Sequence, residues 1–305
     1  MHGLLILDKP QGLTSHDVVR RVRRFFRTKR VGHTGTLDPM ATGVLVVAIG
    51  EGTKLVQFLM AGHKSYRATL KLGETTDTYD AEGTITQRRT VPPLTVEEVG
   101  RCCRKFVGSI EQIPPMFSAI KKNGTPLHRL ARQGIEVDRE SRNVEISRIE
   151  VLAVDLPYVT LEVDCAKGTY IRTLAHDLGE ELGTGAHLTA LRRTRNGSFD
   201  ETDAVSLERL ENTPVSEVSC LSMVQAMRGF ALLEISADAA QALSFGIPPG
   251  LHAIEGPCSV EEGDTVGLVH EGRLLAVARF APQRQKEKRG DFELIRVMTQ
   301  GDGGE

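Results

Sequence analysis

The chain reads as an α/β protein of the α+β kind, on three observations. Short strand-like runs, some wholly apolar and some alternating, are interleaved with segments of helical periodicity up to about residue 225. From Gly229 onward the runs are almost all strand-like, around one short helix. The 305 residues also have the length of two domains, here 1–225 and 229–300.

The elements follow in order. Leu4 to Leu7 reads as a short buried strand and Pro10-Gln11-Gly12 as a turn. Thr14 or Ser15 then caps a helix, with Asp17 well placed in its first turn. Val18, Val19, Val22, Phe25 and Phe26 form its buried stripe. A glycine-rich loop runs from Gly32 to Gly43, and the β-branched run Val44 to Ile49 favours a strand over a helix. Tyr66, Ala68, Leu70 and Leu72 alternate with polar residues, so this strand turns one face inward. Residues 75–83 form a polar loop. A helix is expected over 95–107, burying Val96, Val99, Cys103 and Phe106. Residues 108–143, rich in Pro, Gly and basic side chains, hold at most one short helix, the signature of a functional or mobile stretch. Two strands fall within 144–165. Lys167-Gly168-Thr169 turns into a helix that runs to about Leu182 and is closed by Gly183. Residues 213–228 read as a connection. Beyond it come a strand, a short helix, a hairpin turning at Glu271-Gly272, a basic loop from Arg284 to Arg289, a last strand and a disordered glycine-rich tail.

Composition narrows the function. The net charge of −2 provides no global attraction for nucleic acid, so any such binding needs a local patch. Five cysteines with no CxxC pair argue against a disulfide framework or zinc site and fit a reducing cytoplasm. No stretch approaches membrane-spanning length, and the apolar run after Gly3 is too short for a signal peptide. Phosphate-loop, dinucleotide, zinc-protease and nucleophile-elbow motifs are absent. The expectation is a reaction without metal or cofactor, in the cytoplasm.

Four features could carry chemistry. Asp38 is the one carboxylate in the glycine-rich loop, where backbone can approach a ligand closely. Followed by Pro39, it is also an ideal cap for a short helix, and spacing alone favours the cap. Arg172 falls in the first turn of a helix, where a cation opposes the dipole by roughly 0.3–1 kcal/mol. A carboxylate partner would offset that, and a bidentate pair would orient the acid. Tyr66, one of four tyrosines in a chain without tryptophan, suits either a core position or a platform for an unstacked base. The stretch from Arg20 to Arg30, which includes Arg24, holds seven basic residues in eleven and no acidic one, a pattern of phosphate contact more than of a solvated face.

Taken together, GLLILDKPQGLTSHDVV (3–19), KRVGHTGTLDPMATGVLVVAIGEGTK (29–54), KSYRATLKLGETTDTYDAEG (64–83), PPMFSAIKKNG with LARQGIEV (114–137) and KGTYIRTLAHDLGEELGTGAHLTALRR (167–193) closely resemble the TruB family of tRNA pseudouridine synthases. The segments occur in family order and span most of residues 3–200. The resemblance implies a mixed, largely antiparallel sheet, and isomerisation of uridine 55 in the tRNA T-loop. It makes Asp38 the catalytic aspartate of GHTGxLDP, Tyr66 the tyrosine that stacks on the target base, and Arg172 the partner of Asp38. His33 would enter the T-loop where bases have flipped out. Asp80, Leu191, Tyr170 and Lys9 would lie near the pocket, with Arg20 and Arg24 on the RNA. Residues 113–142 match an insertion that closes on the RNA, and 229–300 more weakly resemble a PUA-like RNA-binding domain. The implied partner is the tRNA T-arm stem-loop; a monomer needing no protein partner and no membrane is expected. His128 departs from the family, which has tyrosine there. Three routes are open to the carboxylate: attack on C1′, attack on C6, or removal of the C2′ proton. A tRNA-binding module without catalysis and an aspartate-dependent nucleoside hydrolase are the rival readings; the first leaves Arg172 and Asp38 unexplained, and the second leaves the insertion unexplained.

Overall fold

The structure, a computed structural model, describes residues 1–122, 124–283 and 290–298. Its centre is a ten-stranded sheet. The main path runs Val205–Ser206, Gly3–Lys9, Thr42–Ile49, Ala186–Asn196, Lys64–Leu72, Tyr158–Cys165, Arg142–Asp155 and Gly108–Gln112. Val31–His33 adds to Thr42–Ile49, and Phe199–Asp200 to Ala186–Asn196. Two pairings are parallel, Gly3–Lys9 with Val205–Ser206 and Thr42–Ile49 with Ala186–Asn196; the others are antiparallel, as expected of a mixed, largely antiparallel sheet.

The unbroken apolar run from Val44 to Ile49 is explained by what covers the sheet. Leu45, Val47 and Ile49 face one core, with Val18, Val19 and Val22 of helix Ser15–Phe25 and Leu174 and Leu178 of helix Ile171–Glu181. Val44, Val46 and Ala48 face a second core. That core is closed by Val269, Leu274, Val277 and Met298, which belong to the C-terminal sheet and its end. A strand covered on both faces needs no polar alternation. The C-terminal sheet has five strands, in the order Ile254–Glu255, Ala231–Ile235, Thr265–His270, Arg273–Phe280 and Phe292–Val297. Glu271 and Gly272 both adopt positive φ, 49° and 70°, as a two-residue hairpin turn demands.

Local signals placed the helix starts. Thr14 forms a capping box with Asp17, and Thr95 forms one with Glu98. Three expectations need correction. The helix after Thr95 is Val96–Arg104, and Cys102 joins Val99 and Cys103 in the core while Val96, at the first helical position, is 50% exposed. Residues 213–228 are no free connector: Leu221 bridges to Leu4, and Ala226 and Met227 are fully buried. The insertion has one helix, Leu127–Arg132, but also the small ladder of Lys121–Lys122 with Thr125–Pro126. The basic loop Arg284 to Arg289 and the tail lie outside the described residues. Among those described, no helix is long and apolar enough to cross a membrane.

Candidate active site

The glycine-rich loop leaves the sheet at His33 and returns at Thr42, and nearly every residue between is tied down. Ser15 Oγ accepts from Leu37 N at 2.8 Å. Gly12 N donates to Pro39 O at 2.8 Å. The buried Lys9 ammonium donates to Pro10 O, Leu13 O and Pro39 O at 2.9, 2.6 and 3.4 Å. Burial pushes this lysine down to about 8, against the opposing pull of Asp38. Gly43, at φ +98°, lies on the facing strand so closely that a Cβ would stand 2.2 Å from Arg193 O. Asp38 itself begins a turn closed by Ala41 N to Asp38 O at 3.0 Å. No helix follows, so the capping role that spacing favoured is not what the structure contains: Asp and Pro sit at the first two positions of a turn instead.

Arg172 meets this carboxylate from helix Ile171–Glu181. Its Nε stands 2.9 Å from Asp38 Oδ2, with Arg172 4% and Asp38 36% exposed. The separation is that of an ion pair, but the N–H does not point along it, so the contact is charge pairing rather than an aligned hydrogen bond. The pair is not the bidentate fork that would orient the acid most firmly. The terminal nitrogens are committed elsewhere: Nη1 to Thr78 O at 3.1 Å and to Asp80 Oδ2 at 3.4 Å, Nη2 to Phe117 O at 2.8 Å. The cation at a helix start is thus offset by two carboxylates and two carbonyls. Asp80 is held in turn by Thr78 Oγ1 and Glu82 N at 2.6 and 3.0 Å. Asp38 Oδ1 receives no hydrogen bond from the described residues.

The other expected residues gather around this pair to different degrees. Tyr66 is buried in its strand, directly paired with Arg193, and burial raises its phenol. Leu191 is buried on the strand next to it, opposite Ala68. Tyr170, just before helix Ile171–Glu181, has a phenol raised by burial and set against Ser118 of the insertion. His33 packs edge-on to His16 at 5.5 Å, and its Nδ1 accepts from Gly35 N at 3.3 Å. Burial, His16 and Arg193 together push it down to about 4. Arg20 and Arg24 are exposed on helix Ser15–Phe25, away from these contacts. The basic run is not free of acidic partners: Arg20 pairs with Asp17, Arg21 with Glu211 at 3.4 Å and Arg30 with Glu51 at 2.8 Å. Glu211 and Glu51 are far from their arginines in sequence, so counting within the run could not reveal them.

Sequence reasoning missed Gln112, Glu82 and Arg193. Gln112 accepts from Tyr170 N at 3.0 Å and donates to Tyr170 O at 3.3 Å, fixing the start of the helix that bears Arg172. The Glu82 carboxyl is raised by burial and by the nearby Asp80 and Asp38. Arg193 lies second in an Arg-Arg pair that gives no hint of burial. Among the described residues no group of three or more His, Cys, Asp or Glu is arranged to hold a metal ion; Asp38 and Asp80 are bridged by a guanidinium.

The His33 environment has a measurable consequence. Between pH 4 and 6.5 the unfolded chain binds a proton that the folded chain does not, so stability from this group is full above about 6.5 and falls as pH drops toward 4. In a ¹⁵N-histidine NMR titration, His33 is expected to stay neutral down to about pH 5. A midpoint near 6.5 would count against this.

Fold and site define the class: an enzyme with one carboxylate on a pinned loop, paired with a buried arginine and partly open to solvent. The family model described as TruB family pseudouridylate synthase (N terminal domain) matches residues 23–171, and the tRNA pseudouridylate synthase B C-terminal domain matches 172–224. Over 303 residues the chain is 49% identical to the tRNA pseudouridine synthase B of Syntrophotalea carbinolica, covering 99% of each. It is 46% identical to that of Geobacter sulfurreducens, over 98% of this chain and 100% of the relative. The chain belongs to the TruB family of pseudouridylate synthases. Among solved structures, that of a Cbf5-Nop10-Gar1 complex superposes with a TM-score of 0.75 at 28% identity, over 97% of this chain and 85% of the other.

Proposed function

We propose that this enzyme converts uridine 55 in the T-loop of tRNA to pseudouridine, with Asp38 as the catalytic carboxylate. The observation that carries the reading is the Asp38–Arg172 ion pair, which holds one carboxylate oxygen of a side chain that is still 36% exposed. Relatives named tRNA pseudouridine synthase B, similar over nearly the whole chain, support tRNA as the substrate. The reaction breaks N1–C1′ and joins C5 to C1′, so it needs a base freed from its stack and able to rotate. Asp38 acts on the ribose or the base, Arg172 keeps it aligned, and Tyr66 supplies the stacking face. His33, held neutral by its surroundings, wedges into the loop in place of the flipped bases. Residues 113–142 close over the RNA, and their contact with Arg172 through Phe117 O ties that closure to the site. Residues 1–225 form the catalytic domain, and 229–300 a PUA-like domain. Arg20, Arg24 and the 284–289 loop neutralise phosphates, in a monomer that needs no protein partner and works in the cytoplasm.

The test uses an unmodified tRNA transcript and an isolated T-arm stem-loop, with pseudouridine mapped chemically. Both are expected to react at position 55, because the proposed contacts to the base are local to the loop. Modification elsewhere, or a stem-loop that binds as well as tRNA yet stays unmodified, would overturn T-loop recognition.

A further inference from the structure

Arg193 is a buried arginine without a carboxylate. It is 1% exposed, the largest of the fully buried side chains. Its neighbour Arg192 is paired with Asp8 and Glu201, whereas Arg193 forms no ion pair with any described residue. Its donors go to main-chain carbonyls: Nε to Val44 O at 2.7 Å, Nη2 to Gly35 O at 3.2 Å and Nη1 to Thr36 O at 3.4 Å. Gly35 and Thr36 enter the catalytic loop and Val44 leaves it, so one guanidinium joins both ends of the segment whose middle is Asp38. Arg193 is also the direct cross-strand partner of Tyr66, and its side chain acts on the Tyr66 phenol both by charge and by a hydrogen bond. A buried cation without a carboxylate is a burden on folding. Hydrophobic residues fill most such positions, which points to a use in the site.

We infer that Arg193 is a positioning residue for the reaction, a clamp that sets the Asp38 loop and the Tyr66 ring relative to one another. The inference rests on the function proposed above. The planar fork is essential to it: five donors in fixed directions reach three carbonyls at once, which the single ammonium of lysine cannot do. Displacing a reacting group by about 1 Å costs on the order of 10²-fold in rate. The clamp does not touch RNA, so its loss falls on the chemical step and leaves binding alone.

The test compares wild type, Arg193→Lys, Tyr66→Phe and the double variant, each assayed for single-turnover pseudouridine formation at saturating tRNA, for tRNA affinity and for thermal unfolding. Rates are taken below the lowest unfolding midpoint, and Arg193→Gln replaces the lysine variant if that one does not fold. The expected result is a rate loss on the order of 10²-fold with Kd within about twofold of wild type. The loss should also be smaller in the Tyr66→Phe background, since the two residues act through one contact. A wild-type rate, a loss confined to Kd, or strictly additive losses would overturn the assignment. Failure of the wild-type chain itself to form pseudouridine would instead overturn the proposed function, and the two failures are told apart by that control.

Discussion

Asp38→Asn is expected to fold, bind tRNA with near wild-type affinity and lose turnover by on the order of 10⁴-fold or more. The substitution is almost silent structurally. The turn at Asp38 is closed by its main-chain oxygen, and among the described residues the side chain's one ion pair is with Arg172. The loop is pinned by Ser15, Gly12, Lys9 and Arg193, none of which touches the Asp38 carboxyl. Asparagine therefore keeps the shape and removes the one group able to act as nucleophile or base. Single-turnover formation of pseudouridine, with the variant's sequence verified by mass, measures the effect. Substantial turnover would remove Asp38 from the chemistry and return it to a purely structural part in the turn.

Arg172→Met should be damaging in two ways. It leaves Asp80, 6% exposed, without its cation, and breaking a buried pair from one side costs about 3–5 kcal/mol. It also frees the Asp38 side chain. Arg172→Lys is the sharper comparison, since it keeps the charge. One ammonium cannot serve Asp38, Asp80, Thr78 O and Phe117 O together, because these four lie around a planar fork. The expected outcome is a rate lowered by on the order of 10²-fold or more with only part of the methionine variant's stability loss. Urea unfolding and single-turnover rates on both variants decide it. A lysine variant at the wild-type rate would show that charge alone suffices and that the fork's geometry is irrelevant.

How much of this could be read from the chain depended on the range of the physics. Caps and turns are local: the Thr14 cap and the Glu271-Gly272 turn stand where their chemistry indicated, and the Thr95 cap, equally local, was not read. The run at Val44–Ile49 was legible as a buried strand, but not the reason for its burial on both faces, part of which lies in residues more than two hundred positions away. Asp38 shows the limit from the other side. Its spacing favoured a helix cap, and only the resemblance of the whole loop to a family motif singled it out. Arg172 gave a physical signal of its own, a cation at the wrong end of a helix, and the structure answers it with Asp38 and Asp80. Arg193 and Gln112 gave none. An arginine that spends its donors on carbonyls and a glutamine that fixes a main-chain corner look like any others until the chain is folded. The basic run misled because its acidic partners lie outside it, at Asp17 just before and at the distant Glu211 and Glu51.

The core shared between the two sheets also bears on how the chain is made. In the finished molecule Leu4 and Ile6 share one apolar core with Leu55, Leu59, Phe199, Ala226 and Met227, and with Val269, Leu274, Val277 and Met298, which are translated more than two hundred residues later. During synthesis that face of the Gly3–Lys9 and Thr42–Ile49 strands is therefore only partly covered, with apolar surface still open, until Met298 has emerged. Chains that fold through such exposed intermediates are the ones that draw on chaperones. A stop codon between residues 229 and 265, sparing every residue around Asp38, would leave that core permanently short of Val269, Leu274, Val277 and Met298.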